Sequence, residues 1–137
     1  MTALTLDLAT RLLAAGEEAA RERGLALAVV VVDAGGHQVA LHRMDGAPFV
    51  APEIATGKAW TAAAYGAPSA SEGEKARKLP TFTAGIATMT HGRYTPQVGG
   101  LPITVDGAVV GGMGASGASG EEDEAVVRAA LERVLGG

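Results

Sequence analysis

Two pairs of apolar runs, each pair divided by a tight turn, constrain the fold of this chain most. The turns are Asp33-Ala34-Gly35-Gly36 and Asp106-Gly107. The flanking runs are Leu25–Val32 and Gln38–Arg43 at the first turn, and Leu101–Val105 and Ala108–Met113 at the second. Turns this short join antiparallel neighbours, whereas parallel strands need a crossover of a dozen or more residues. The sequence therefore predicts two hairpins and disfavours a doubly wound parallel sheet.

Helical patterns stand at both ends of the chain. Apolar residues recur at helical spacing over residues 5–23, where Thr5 is the expected N-cap and Gly24 the stop. Near the other end, Ser119 and Glu122 have the spacing of a capping box that opens a last helix. We expect these terminal helices to lie side by side on one face of an antiparallel sheet, an α/β fold of the α+β kind.

The middle of the chain has weaker signals. Ala51–Lys78 is rich in Ala, Lys and Glu and predicts helix, with an interruption at Gly66–Ser69. Leu79–Gly100 shows no sustained period, so it is expected to be mostly loop with a short helix at Thr83–Met89.

Length and composition limit the class of protein. We expect one domain over residues 1–137. The net charge of −4 without a basic cluster argues against nucleic acid. The absence of cysteine, of a signal-peptide pattern and of a long apolar stretch favours a cytoplasmic protein outside membranes. Because 47% of the residues are apolar and only 19% are charged, we expect a homo-oligomer that hides part of this surface.

Two familiar site patterns are present in form only. Gly112–Gly117 satisfies G-x-G-x-x-G, but four acidic residues at 121–124 occupy the next helix start, where a phosphate would bind. We interpret these glycines as allowing tight turns and close backbone approach. His37 and His42 are five positions apart on an expected strand, so they face opposite sides and cannot hold one metal ion. No built-in metal site is expected.

Turn segments and polar side chains that a core would not need point to a small-ligand cleft. We expect it between Asp33–His37, Arg43–Asp45 and Gly99–Pro102, with Lys58 nearby. His91 lies in an irregular segment beside Arg93; a solvated loop histidine and a ligand-binding one both suit that position. The candidate ligand-binding residues are Asp33, Arg43, Asp45, Lys58, His91, Gly99, Gly100 and Pro102.

Several of these segments, in order along nearly the whole chain, resemble one known family. They are Val32–His37, Arg43–Ala47, Lys58-Ala59, Gly99–Ile103 and Gly111–Gly117 with Asp123. The sequence is similar to the GlcG/HbpS-like family, also called the haem-degrading domain family, which includes the C-terminal domain of PduO proteins. The resemblance implies a profilin-like antiparallel sheet of about five strands flanked by helices, and assembly into homo-oligomers.

The resemblance also implies binding of haem or another tetrapyrrole in some members. Without cysteine, the residues able to ligate haem iron are His, Met and Tyr. The candidates in this chain are His91, His37, His42, Met44, Met113 and Tyr94. If haem binds, we expect it at Thr88–Tyr94, with His91 as ligand and Arg93 or Arg43 beside the propionates.

The sequence therefore leaves two hypotheses about function, which belong to different classes of protein. The first is a small-ligand-binding protein, for haem or a related tetrapyrrole. The second is a metal-independent enzyme that acts on a carboxylate or hydroxy acid, with Asp45, Lys58 and His37 in proton transfer. An interaction or accessory role is the remaining reading, and whether the chain is an enzyme stays open at this point.

Overall fold

A four-stranded antiparallel sheet forms the centre of the fold in a computed structural model, which describes residues 3–136. The strands are β1 Ala28–Asp33, β2 Gln38–Arg43, β3 Gly100–Val105 and β4 Ala108–Ser116. Their order is β2-β1-β4-β3, and every neighbouring pair is antiparallel. Both predicted hairpins and the α+β class are confirmed. The expectation of about five strands is corrected to four within the residues described.

Helices cover both faces of this sheet. They are α1 Leu6–Glu22, α2 Ala51–Tyr65, α3 Ser71–Lys78, α4 Pro80–Met89 and α5 Gly120–Leu135. The helices α1 and α5 pack against each other and share one core with the β1 side chains Val29 and Val31. On the other face α2 packs against Val30 and Val32. The prediction that the terminal helices lie beside each other is confirmed.

Local capping signals place the ends of the terminal helices. The side chain of Thr5 accepts a hydrogen bond from the Leu8 N–H at 3.1 Å, and Ser119 with Glu122 forms the expected capping box. The middle helix α4 begins at Pro80, three residues before the predicted start. Proline is well tolerated in the first turn of a helix, where its missing N–H has no partner to lose.

Strand β4 runs to Ser116, three residues beyond its predicted end, and its glycines explain why. A Cβ atom on Gly112 would overlap the carbonyl oxygen of Ala59, and one on Gly114 would overlap that of Ala55. The backbone of α2 therefore lies directly on the backbone of β4. The first five residues of the G-x-G-x-x-G pattern belong to a strand that accommodates a closely packed helix, in keeping with the structural interpretation of these glycines.

Gly114→Ala is expected to lower the free energy of unfolding by about 1–3 kcal/mol, because the added methyl group pushes α2 away from the sheet. Urea denaturation monitored by circular dichroism measures the loss. Gly73→Ala in α3 is the matched control: its Cβ would lie 3.4 Å from the Pro96 oxygen, an ordinary contact. If the two substitutions lower the free energy of unfolding equally, the close α2–β4 contact does not explain the effect of Gly114→Ala.

Candidate functional site

Lys58 is buried in an ion pair rather than presented to a ligand. Its Nζ atom lies 3.0 Å from Oδ2 of Asp123 and donates to the carbonyl oxygen of Ala115 at 3.0 Å. Lys58 is 4% exposed and Asp123 1%. Burial raises the pKa of Asp123, against the lowering effect of Lys58 and of the Ala118 N–H, which donates to Oδ1. The pair joins α2, the end of β4 and the start of α5.

Gly99 and Gly100 close over this ion pair. Gly99 has φ +138°, and a Cβ there would lie 2.7 Å from the Lys58 Nζ atom; a Cβ on Gly100 would overlap the Lys58 carbonyl group. The structure therefore brings Lys58 and the two glycines together, as expected, but in the interior. Pro102 lies further along β3 and lines a separate cleft of about 360 Å³ against α5.

Arg43 and Asp45 lie at the opposite edge of the sheet. They line a cleft of about 500 Å³ with Glu17, whose Oε1 atom is 2.5 Å from Nδ1 of His42. The edge strands β2 and β3 are separated by two strands, which corresponds to about 14 Å. Within one chain the predicted cleft between Arg43–Asp45 and Gly99–Pro102 is therefore not formed.

Asp33 organises the turn between β1 and β2. One carboxylate oxygen accepts the N–H groups of His37 and Gly35, each at 3.0 Å, and lies 3.3 Å from the His37 Nδ1 atom. The hydrogen bond from the His37 N–H, followed by that from Gly35, holds the pKa of Asp33 below its usual range. Asp33 and His37 line a further cleft of about 530 Å³.

The three residues considered for proton transfer do not meet within one chain. His37 and Asp45 lie beyond opposite ends of β2, a strand of six residues that spans about 20 Å. Lys58 is enclosed between α2 and α5. These three side chains therefore share no cleft within one chain.

His91 borders the largest of the clefts described so far, one of about 570 Å³, hereafter the His91 cleft. Strand β2, the first half of α2 and the segment after α4 form its walls. The lining residues are Gln38, Leu41, Pro52, Glu53, Thr56, Gly57, His91, Gly92 and Arg93. Of the predicted ligand-binding residues, His91 alone lines it.

The backbone of His91 has a left-handed conformation, with φ +57°. It follows the C-cap Thr90 of α4, and its N–H donates to the Thr88 oxygen at 3.1 Å while the Gly92 N–H donates to the Ala87 oxygen at 2.7 Å. These two bonds define a Schellman motif, in which glycine is the usual residue at the position of His91. A side chain there is unfavourable, so the histidine stands where local stability favours glycine.

A buried polar cluster anchors the segment that follows His91. The Tyr94 hydroxyl donates to Oε1 of Glu72 at 3.0 Å, and Lys75 lies 3.0 Å from the same carboxylate. Burial, followed by the hydrogen bond to Glu72, raises the pKa of Tyr94 to about 12. The Tyr65 ring meets that of Tyr94 edge-on at 6.0 Å. Sequence reasoning missed Glu72, because 22 residues separate it from Tyr94 and no local pattern links them.

Most of the other candidate haem ligands are engaged elsewhere. Met113 is fully buried between the sheet and α1, and Met44 packs against the same core. The rings of His37 and His42 face carboxylates, and the Tyr94 hydroxyl is held by Glu72. Within residues 3–136, the His91 ring makes no side-chain hydrogen bond, and it is exposed at the edge of its cleft.

The part of the chain that the structure describes contains neither a cluster of metal-ligating side chains nor a membrane-spanning helix. Over residues 3–136 no group of three or more His, Asp or Glu side chains could hold a metal ion. In the same part of the chain no helix is long and apolar enough to span a membrane.

Comparison with known proteins agrees with this architecture. The family described as haem degrading protein HbpS-like matches residues 4–132. The chain belongs to this family. It is 35% identical over 113 residues to protein GlcG of Escherichia coli K12, covering 82% of this chain and 81% of GlcG.

Solved structures of HbpS-like proteins have the same fold. The crystal structure of HbpS has a TM-score of 0.86 and 36% identity, covering 100% of this chain and 93% of HbpS. The crystal structure of the PduOC–haem complex has a TM-score of 0.83 and 30% identity, covering 95% of this chain and 94% of PduOC. The resemblance inferred from the sequence motifs is confirmed.

Tyr94→Phe is expected to lower the free energy of unfolding by about 1–3 kcal/mol at pH 7, because Glu72 stays buried without one of its donors. The unfolded chain loses the tyrosine proton near pH 10, whereas the folded chain keeps it to about 12. The wild type therefore loses stability relative to Tyr94→Phe as the pH rises from 10 to about 12. Urea denaturation across that range measures both effects.

Tyr65→Phe is the matched control, since Tyr65 is partly exposed and keeps its ring contact without the hydroxyl. We expect it to change stability by less than about 0.5 kcal/mol. If Tyr65→Phe and Tyr94→Phe behave alike, the Tyr94–Glu72 hydrogen bond does not anchor the segment.

Lys58→Met is expected to lower the free energy of unfolding by about 3–5 kcal/mol, because it leaves the Asp123 carboxylate buried without its cation. Combining it with Asp123→Leu should restore at least half of that loss, because both buried charges are then removed. Thermal and urea unfolding of the single and double variants test this. Arg128→Met, which breaks the exposed pair with Glu124 at 2.8 Å, is the control and should cost less than about 1 kcal/mol. A double variant as unstable as Lys58→Met would contradict the pairing argument.

Proposed function

We propose that this chain binds haem or a related tetrapyrrole in the His91 cleft, with the His91 imidazole as the iron ligand. The observation that carries the proposal is the placement of that imidazole. It is exposed at the rim of an open cleft, makes no side-chain hydrogen bond within residues 3–136, and stands at a backbone position that favours glycine. The family description and the haem complex of PduOC support the same class of ligand.

The residues around the cleft suit such a group in donor type and charge. Imidazole is a common axial ligand of haem iron, and bound haem would supply a metal centre with ligand-dependent redox properties. Arg93 is exposed and supplies a cation for a propionate, while its Nε atom donates to the Thr90 oxygen at 3.0 Å and fixes the start of the side chain. The volume of about 570 Å³ falls within the range of small-molecule sites.

Strain at His91 strengthens this reading. Non-glycine residues in the left-handed region cost about 1–2 kcal/mol and are concentrated at functional sites. The other left-handed non-glycine residue described, Asp106, has a structural explanation, because Asp106-Gly107 forms the tight turn between β3 and β4. At His91 the Schellman motif requires the left-handed backbone, and glycine is its usual residue, so the proposed role as iron ligand gives a reason for histidine at this position.

The enzymatic alternative receives no comparable support. Asp45 and His37 stand at separate clefts and Lys58 is paired with Asp123, so the three residues considered for proton transfer share no cleft within one chain. We therefore propose a binding function rather than metal-independent catalysis.

Haem titration followed by the Soret band tests the proposal. We expect specific binding by the wild type and a loss of affinity of at least about tenfold in both His91→Gly and His91→Ala. His91→Gly removes the imidazole that would ligate the iron and also relieves the backbone strain. Its free energy of unfolding should therefore equal that of the wild type or exceed it by up to about 1 kcal/mol.

His37→Ala is the control, an exposed histidine at a different cleft, and it should bind haem as the wild type does. Unchanged affinity in both His91 variants would overturn the assignment of the ligand. Absence of specific binding by the wild type would overturn the tetrapyrrole proposal itself.

A further inference from the structure

A cleft beside the first hairpin turn, hereafter the turn cleft, takes no part in the proposed function. It has a volume of about 530 Å³, and it shares no lining residue with the His91 cleft. Its walls are the residues just before α1, the turn Asp33–His37 and the start of β4 at Ala108–Val110. It therefore lies at the end of the sheet where β1 leads into β2 and where β4 begins.

Aliphatic side chains form most of the wall of the turn cleft. Leu4, Val109 and Val110 contribute to it together with alanines at 3, 34 and 108. Leu4 and Val110 also pack in the core that α1 and α5 share, so this part of the wall is held in place from behind. Among residues 3–136, no lysine or arginine lines the cleft. The turn cleft thus offers a ligand apolar surface and no permanent positive charge.

Asp33 supplies the carboxylate of the turn cleft. Side chains alternate along β1, so Asp33 is on the same face as Val29 and Val31, which pack under α1 and α5. Its Oδ1 atom accepts the N–H groups of Gly35 and His37 and lies beside the His37 ring. Within residues 3–136 no hydrogen bond reaches Oδ2, and the side chain is 39% exposed. The turn therefore uses one carboxylate oxygen and leaves the other accessible as an acceptor.

The charge and the fixed orientation of this carboxylate favour a cationic ligand. The hydrogen bond from the His37 N–H, followed by that from Gly35, holds the pKa of Asp33 below its usual range, so the group is ionised at neutral pH. The same bonds fix the side chain, so a ligand that binds Oδ2 orders little that is not already ordered. The net charge of −4 on the chain adds to the attraction for cations.

The amino end of α1, which follows Leu4, would by itself favour an anion. Two features oppose that effect, since the Thr5 side chain already accepts the Leu8 N–H and Asp7 adds a negative charge to the first turn. An anionic ligand would also meet the Asp33 carboxylate without a lysine or arginine in the described lining to offset it. The balance of charge around the cleft is therefore better suited to a cation.

We propose that the turn cleft binds an amphipathic organic cation, namely a protonated primary or secondary amine that carries an apolar group. The ammonium group donates to Oδ2 of Asp33, and the apolar group lies against Leu4 and the Val109-Val110 segment. Hydrogen bonds between charged groups are stronger than neutral ones, so the amine provides most of the selectivity. This site is independent of the proposed haem site.

Trp60, the single tryptophan of the chain, gives this site a built-in reporter. A Cβ atom on Gly36 would overlap the Trp60 ring, so the indole lies directly against the turn. Ala34 and Gly35 line both the turn cleft and a small cavity of about 70 Å³ beside Trp60. A ligand at the turn should therefore change the emission of Trp60 without contacting it.

Calorimetric titration of the wild type at pH 7 with three ligands of similar shape tests the proposal. They are 2-phenylethylamine, which is cationic, the neutral 2-phenylethanol and the anionic 3-phenylpropanoate. The amine should bind at least about tenfold more tightly than the alcohol, and the carboxylate more weakly than either. Selectively excited Trp60 fluorescence should change with the same dissociation constant. This comparison does not depend on any variant.

Asp33→Asn tests the role of the carboxylate, because its amide oxygen can still accept the N–H groups of the turn while the charge and the free acceptor are lost. It should bind the amine at least about tenfold more weakly and the alcohol as the wild type does. The control Asp7→Asn removes the same charge from the exposed first turn of α1, outside the described lining, and should bind the amine as the wild type does. Circular dichroism verifies that both variants are folded.

Three results would overturn the proposal. Absence of saturable amine binding at millimolar concentration would exclude the site. Equal affinity for the three ligands, or tightest binding of the carboxylate, would exclude a cation as the preferred ligand. Amine binding that is unchanged in Asp33→Asn, or that leaves Trp60 emission unaltered, would place the amine elsewhere on the protein. None of these results bears on haem binding by His91, which is measured separately.

Discussion

The direct contact between the backbones of α2 and β4 fixes the position of Lys58 and of the α2 wall of the His91 cleft. Glycine at 112 and 114 and alanine at 55 and 59 leave only main-chain atoms between helix and strand. Because interiors are close-packed, a helix held at this distance has little freedom to rotate or slide. Its register then fixes Lys58 beneath Asp123 on one side and Gly57 beside the segment after α4 on the other.

Gly57 shows how that register reaches the proposed site. A Cβ at Gly57 would collide with the side chain of Thr95 and approach the Arg93 oxygen, so the segment lies directly on α2. The Thr95 N–H also donates to the Thr61 hydroxyl at 2.8 Å. Together with the Tyr94–Glu72 bond, these contacts hold the segment that follows the left-handed turn at His91. The left-handed backbone itself is held by the two hydrogen bonds of the Schellman motif, and the packed segment after it keeps the turn in place.

The sequence predicted those parts of the fold whose signals are local. Thr5, the Ser119–Glu122 box and the Asp106-Gly107 turn act on neighbouring residues, so their patterns indicate structure directly. The predicted end of β4 is wrong because glycine usually weakens or interrupts a strand. Glycine is necessary there only because α2, which lies some fifty residues earlier in the sequence, packs directly on this strand. The contacts around the candidate site were harder to predict from the sequence than the strand ends. Pairings such as Tyr94–Glu72 and Lys58–Asp123 arise from packing between distant segments and leave no periodic trace.

The family motifs themselves have a structural explanation that separates fold from ligand. Lys58, Gly99, Gly100 and Asp123, which carry part of the resemblance, enclose a single buried ion pair. Removing one member of such a pair leaves an uncompensated charge in the interior, which is a strong reason to retain all of them together. The Asp33–His37 motif likewise satisfies its own turn. We interpret these motifs as requirements of the fold, whereas His91 and Arg93 lie outside them. Similarity to HbpS-like proteins therefore identifies the scaffold of this chain more securely than its ligand, and under the proposed function the choice of ligand depends on the segment after α4 that lines the His91 cleft.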